Sequence, residues 1–307
     1  MICIAPRTRA LALLGFALAL APAHLCAEEV RIEHVGIELL GNLQKPGAEP
    51  LGAAGVVLIV HGTLGHHGME VIAGVQKGLE AQGIASLAMT LSLGFNARRG
   101  MFDCALEHDH RQSDAGDEIT AWAGWLKAQG AGRITVLGHS RGARQVVDQA
   151  VAGFDPVVDR LVLLAPLTDT AAEAAESYKR THGGDLPTLL DAARKRVDGG
   201  ADDSTLAVPG FLHCKAARVT AAAFLDYYDG DAVALVLGRL KDLKLPVLVV
   251  AAGADTIAPK VGERAKANQA GNVELAVIDG ADHFFRDLFM DELIDRLKPF
   301  LVKAQAR

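Results

Sequence analysis

Basic residues are in short supply: the 307-residue chain carries 31 Lys and Arg against 37 Asp and Glu, a formal net charge of -6. That balance gives no long-range attraction for nucleic acid or anionic lipid, so a nucleic-acid partner is set aside. Proline is also scarce, at 11 residues, while half of the chain is apolar and 22% is charged. This composition excludes disorder and low complexity as the main state and leaves enough apolar material for a sizeable core. Internal repeats are absent. Cysteine is limited to four positions, Cys3, Cys26, Cys104 and Cys214.

The apolar run at the N-terminus, Ala10 to Ala21, falls short of the about 20 residues that a permanent membrane helix needs. Arg7 and Arg9 precede it, and Ala21-Pro22-Ala23 and Leu25-Cys26-Ala27 follow. A charged start, a short apolar stretch and small residues at the end describe a secretory signal peptide over residues 1–27, cleaved near Ala27 or, alternatively, Ala23. Ala23-His24-Leu25 lacks the small residue expected before a lipidated Cys26. Cleavage would remove two arginines and no acid, and would leave Cys104 and Cys214 as an even pair. The expected location is periplasmic or secreted, with no membrane span once the leader is gone.

What the rest of the chain holds is alternation. Short apolar runs occur at Val56 to Val60, Ile84 to Met89, Ile134 to Leu137, Leu161 to Leu164, Val247 to Val250 and Val273 to Ile278. Most are continuous, the pattern of strands buried on both faces of a parallel sheet. Helical stretches lie between them, at Met69 to Gln82, Asp114 to Gln129, Arg141 to Val151, Pro259 to Ala270 and Arg286 to Gln305. Strand, helix, strand repeated predicts an α/β fold built of right-handed crossovers. Val30 to Leu43 reads as an antiparallel hairpin at one edge, turning near Gly36. Pro166 to Leu245 interrupts the alternation for about eighty Ala-rich residues, which predicts a helical cap inserted at about 168–244 of a single 28–307 domain.

Chemistry-bearing residues gather after the strands. Ile134 to Leu137 runs into Gly138-His139-Ser140-Arg141-Gly142, followed at once by a helix. Gly-x-Ser-x-Gly between a strand and a helix is a nucleophile elbow, whose glycines permit a crowded turn that exposes the serine. A serine hydroxyl needs a base. His283 follows the last strand in Asp279-Gly280-Ala281-Asp282-His283, and Asp255 follows Val247 to Val250 in Ala252-Gly253-Ala254-Asp255. With the strand that ends in His61-Gly62-Thr63, these motifs in the order Ser, Asp, His closely resemble the α/β-hydrolase superfamily. The resemblance spans nearly all of the chain after the leader except the cap.

That resemblance implies a mostly parallel eight-stranded sheet flanked by helices, with Ser140 as nucleophile, His283 as base and Asp255 as orienting acid. Asp169, after Leu161 to Leu164, is the alternative acid. It also implies an oxyanion hole from the backbone N–H groups of Arg141 and Thr63, with Leu64 in reserve. The expected activity is hydrolysis of a carboxylic ester or related acyl bond in a small-molecule substrate. Alternatives are an acyltransferase or peptidase with the same triad, or a binding protein on a hydrolase scaffold. His139 and Asp282 are read as packing and loop residues, and the Arg141 side chain as surface charge or a substrate contact.

His66-His67 and His108-Asp109-His110 provide neither a helical His-x-x-x-His pair nor a thiolate set, so no metal and no cofactor are expected. Arg98 and Arg99, in a loop bordering the pocket end of the sheet, are candidates to hold an anionic group of the substrate. Phe211, Leu212, Phe224 and Leu225 of the cap are candidate apolar contacts. Cys104 lies in the same loop and Cys214 in the cap, and the two are expected to form a disulfide across the pocket mouth, the rival being two buried thiols.

Overall fold

The computed structural model describes residues 26–47, 51–52 and 55–303. Nearly all of the expected leader lies outside the described residues. Strands β1 (Cys26–His34) and β2 (Ile37–Lys45) form the edge hairpin. They turn through Val35 and Gly36, both at positive φ, as a two-residue hairpin turn requires. Then come β3 (Val56–Val60), α1 (Glu70–Ala81), β4 (Ala85–Thr90), α2 (Ala115–Ala128), β5 (Ile134–His139), α3 (Arg141–Ala152) and β6 (Val158–Leu164).

The next segment holds α4 (Ala171–His182), α5 (Leu186–Asp198), β7 (Thr205–Phe211), β8 (Cys214–Thr220) and α6 (Ala221–Tyr228). The fold closes with β9 (Val247–Ala252), α7 (Val261–Ala267), β10 (Val273–Ile278) and α8 (Leu288–Val302). One eight-stranded sheet runs in the order β1-β2-β4-β3-β5-β6-β9-β10. Only the pairings that involve β2 are antiparallel. This is an α/β-hydrolase architecture.

Every residue of β3, β4, β5, β6 and β9 is buried, which is why those strands read as unbroken apolar runs. Side-chain alternation divides β3 between two cores. Val57 and Ile59 pack with α1 and α8 on one face, and Val56, Leu58 and Val60 with α2 and α3 on the other. The second core continues without a break into Phe211, Phe224 and Tyr227 of the β6–β9 segment.

That segment is helical in α4, α5 and α6 but departs from the expected pattern in β7 and β8, which form an antiparallel hairpin. Pro209 cannot donate to a ladder, and it drops out of register opposite Ala216, whose φ is +49. A proline, a glycine and alanines inside the hairpin disguise it as turn and helix. The loop holding Cys104 runs beside β8. His108 N–H donates to Arg218 O at 2.9 Å, and Thr220 N–H donates to His108 O at 2.9 Å. Cys104 and Cys214 are joined by a disulfide, with Cα atoms 5.3 Å apart.

The disulfide closes a loop of 110 residues. Loop-closure entropy for that length is about 4 to 5 kcal/mol, and measured effects of native bridges cluster nearer 2 to 4 kcal/mol. Cys104→Ser combined with Cys214→Ser should lower the unfolding free energy in urea by about 2 to 4 kcal/mol. An unchanged midpoint would mean that the bridge does not constrain the unfolded chain.

Candidate active site

The turn from β5 to α3 is dictated by two glycines. A Cβ on Gly138 would meet Gly142 O at 2.5 Å, and a Cβ on Gly142 would meet His61 O at 2.5 Å. Only glycine lets β5, the start of α3 and the end of β3 approach this closely. Between them Ser140 takes φ 56 and ψ -119, a conformation unfavourable for a residue with a Cβ. Its N–H donates to Leu164 O at 2.8 Å, tying the strained residue to β6. No side chain caps the N-terminus of α3, so the N–H of Arg141, its first residue, has no partner within the helix.

His283 and Asp255 come from the loops after β10 and β9. His283 Nδ1–H donates to Asp255 Oδ2 at 2.7 Å, and Asp255 Oδ1 accepts from the N–H groups of Ile257 at 2.7 Å and Ala258 at 2.8 Å. Burial works against the Asp255 charge, but these hydrogen bonds and the His283 ring hold its carboxyl below the usual range. A carboxylate so placed fixes the imidazole tautomer with Nδ1 protonated. Asp169 is not bonded to His283. Its backbone carbonyl accepts from Ala232 N–H, and burial raises its carboxyl. Asp282 turns away too, accepting from Phe284 N–H and pairing with Arg286.

His139 is buried, and its Nε2–H donates to the His283 carbonyl at 2.9 Å. Burial and the nearby His283 ring push it down to about 4, so it is a neutral strut for the His283 loop at ordinary pH.

The loop after β3 faces the serine. A Cβ on Gly62 would meet Ser140 Cβ at 3.2 Å. His61 accepts from Leu91 N–H at Nε2 (3.0 Å) and donates from Nδ1 to Gly62 O (2.8 Å), which fixes its tautomer. Burial and the adjacent Arg98 charge push it down to about 3. Leu64 has φ 52.

Arg98 is a strut of this loop. Its nitrogens donate to Leu91 O, Gly100 O and Gly65 O at 2.6 to 2.7 Å, and it is 8% exposed. Arg99 is at the surface, paired with Glu29. Neither lines the cavity over Ser140, so the anion-binding role expected for them has no geometric support.

That cavity, about 570 Å³, is lined by Ser140, His283, His139, Gly62, Thr63 and Arg141 from below. Tyr178, His182, Leu212, His213, Tyr227 and Tyr228, all from the β6–β9 segment, also line it. Of the four expected apolar contacts only Leu212 borders it. Phe211 and Phe224 are fully buried with ring centroids 6.1 Å apart, backing the tyrosines, and Leu225 borders a separate surface depression. Among the described residues, the one cluster of potential metal ligands is Cys104, His213 and Cys214, whose two sulfurs are already bonded to each other.

The sequence model described as alpha/beta hydrolase family matches residues 56–296. The chain belongs to that family. No curated protein sequence matches it. Among solved structures it is similar to Est1E from Butyrivibrio proteoclasticus, with ferulic acid bound, at 21% identity and TM-score 0.63, over 89% of this chain and 98% of that one. Hydrolase GrgF from Penicillium sp. sh18 shares 16% identity at TM-score 0.61, over 90% and 98%. Esterase Pf2001 of Pyrococcus furiosus shares 19% at TM-score 0.56, over 90% of each chain. At such identities the likeness shows this hydrolase's fold.

Behind the Arg98 strut lies Glu118, buried, with Oε1 2.5 Å from Ser92 Oγ and Oε2 accepting from Ser92 N–H at 2.8 Å. Burial pushes its carboxyl up from 4.5 to about 7, against the Ser92 hydrogen bonds and the Arg98 charge. The folded value lies above the unfolded one, so stability from the neutral acid is full below about pH 4.5 and is lost as pH rises through about 7. Gln at this position copies the neutral acid. In urea titrations Glu118→Gln should therefore gain on the native chain between pH 4.5 and 7 and keep a constant lead above that. A gap that does not vary with pH would contradict a neutral Glu118.

Proposed function

We propose that this hydrolase cleaves carboxylic esters through an acyl-enzyme on Ser140, and that it works in the periplasm or outside the cell. The reading is carried by one arrangement: the Asp255–His283 hydrogen bond opens onto the cavity in which Ser140 sits at the uncapped start of α3. Similarity to structures named as esterases supports the choice of an ester as scissile group.

His283 Nε2 takes the proton of Ser140 Oγ as the oxygen attacks the ester carbonyl, and Asp255 stabilises the resulting imidazolium. The oxyanion forms against the N–H groups of Arg141 and Thr63, each contributing about 3 to 4 kcal/mol to lowering the barrier. His283 then returns the proton to the departing alcohol. Water, deprotonated by the same ring, attacks the acyl-serine and releases the acid. Export is supported by the leader pattern over residues 1–27 and by the disulfide, which belongs in an oxidising compartment. Cleavage after Ala23 leaves β1 whole, whereas cleavage after Ala27 removes its first two residues.

Steady-state hydrolysis of 4-nitrophenyl esters tests the triad. Ser140→Ala and His283→Ala should each lower kcat by about 10⁴ to 10⁶, and the double variant should be little worse than either. Asp255→Asn should cost about 10⁴, whereas Asp169→Asn should cost less than about tenfold. Additive losses, or the reverse ranking of the two acids, would refute these roles.

A further inference from the structure

Among the described residues, one cation in the cavity has no carboxylate within ion-pairing distance. The Arg141 side chain lines the cavity and is part-buried, its guanidinium 5.2 Å from the centroid of the Tyr227 ring. Nε donates to Thr63 Oγ1 at 3.2 Å and Nη1 to Gln112 Oε1 at 2.8 Å, both neutral acceptors. Among the described residues Nη2 makes no hydrogen bond and no carboxylate is within ion-pairing distance. Tyr227 supplies no charge either, because burial holds its phenol well above the usual range. Arg144, one helical turn on and also lining the cavity, differs in being neutralised: Asp148 lies 3.5 Å from its Nε and also pairs with Arg239.

Desolvation of an unpaired guanidinium is costly, and it depresses the affinity of Arg141 for its proton. A protein keeps such a group where an anion completes it. Gln112 is itself 2% exposed, and with Thr63 and Tyr227 it holds the guanidinium fixed before any ligand arrives. This preorganisation distinguishes it from a solvated arginine, which would have to be ordered on binding. Asp169 is the carboxylate among the residues lining the cavity, and it faces Glu173, Arg264 and Lys260 as well as Arg141.

We infer that Arg141 is a specificity residue that receives a carboxylate carried by the substrate, so that this enzyme's preferred esters are monoesters of dicarboxylic acids. The inference rests on the reading of Ser140, which lines the same cavity, as nucleophile. The carboxylate would take the free Nη2 donors while the ester carbonyl lies at Ser140. The anion site expected near Arg98 and Arg99 is thus transferred to a different arginine.

The test compares 4-nitrophenyl monoesters of succinate, glutarate and adipate with the same compounds methylated at the free carboxylate. In the native enzyme at least one ionised ester should exceed its methylated twin in kcat/KM by roughly ten- to a hundredfold, as expected for a charge-assisted hydrogen bond. Arg141→Met should bring that ratio to about one or below, with Arg141→Lys restoring part of it. The ratio cancels the active fraction, so partial misfolding of a variant does not affect it. Calorimetric binding of succinate, glutarate and adipate to Ser140→Ala, with and without Arg141→Met, reads the same site without turnover, and at least one diacid should bind only while Arg141 is present.

Turnover of the neutral esters with no preference for any ionised one would overturn the carboxylate site and leave the hydrolase reading intact. Absence of all turnover alongside Arg141-dependent diacid binding would do the opposite. Diacid binding that is absent, or that survives Arg141→Met, would also overturn the site.

Discussion

Ser140 is held at φ 56 and ψ -119 by the close approach of three backbones, and the rest of the site is arranged around that constraint. The strain of such a conformation is of order 1 to 3 kcal/mol, and it persists because β5 and β6 are buried and hydrogen-bonded on both sides. Gly138 and Gly142 make the approach possible, and Gly62 lets the loop after β3 close on the serine. A side chain at the first two positions would collide with backbone, which cannot rotate away. The same geometry that sets Ser140 in the cavity lining places the uncapped N-terminus of α3 beside it. Proposed nucleophile and proposed oxyanion donor are therefore two consequences of one turn.

Around that turn the buried polar groups divide into struts and working parts. His61 and His139 are held neutral by burial and hydrogen-bond to the backbone of the Gly62 and His283 loops. Burial brings Arg98 down to about 10, which leaves it charged at ordinary pH, and it bonds three carbonyls of the loops that meet at Gly65. His108 and His110 link the Cys104 loop to Tyr227, with His110 Nδ1 3.0 Å from the phenol oxygen. Each of these groups makes at least one hydrogen bond to the main chain or to a neighbouring side chain. Asp255 is spent on His283, and Arg141 is a cavity cation with no carboxylate within ion-pairing distance among the described residues.

The parallel sheet was legible because burial on both faces forces continuous apolar runs, and β3 and β10 have the bounds read from sequence. The elbow, the Asp255 turn and His283 were legible because glycine spacing and position after a strand are local properties. The β7–β8 hairpin was not, since Pro209, Gly210 and Ala216 within it carry the marks of turn and helix. The disulfide was inferable once the loop and the segment after β6 were assigned to the same end of the sheet. Arg98 and Arg141 show the limit of such reading: a charged residue in a loop has one composition whether it is solvated, braces a backbone or meets a ligand. Gln112 and Tyr227, which orient Arg141 from far along the chain, carry no local signal at all.

The central claim is that Ser140 is an activated nucleophile, and covalent labelling by a fluorophosphonate tests it most directly. Intact-mass and peptide-mapping spectrometry of the treated protein should find one phosphonyl group per chain, located on Ser140 and absent from Ser140→Ala. Labelling should be strongly slowed in His283→Ala, because the hydroxyl then has no base. An unlabelled native protein, or a label on a different residue that survives Ser140→Ala, would contradict the account.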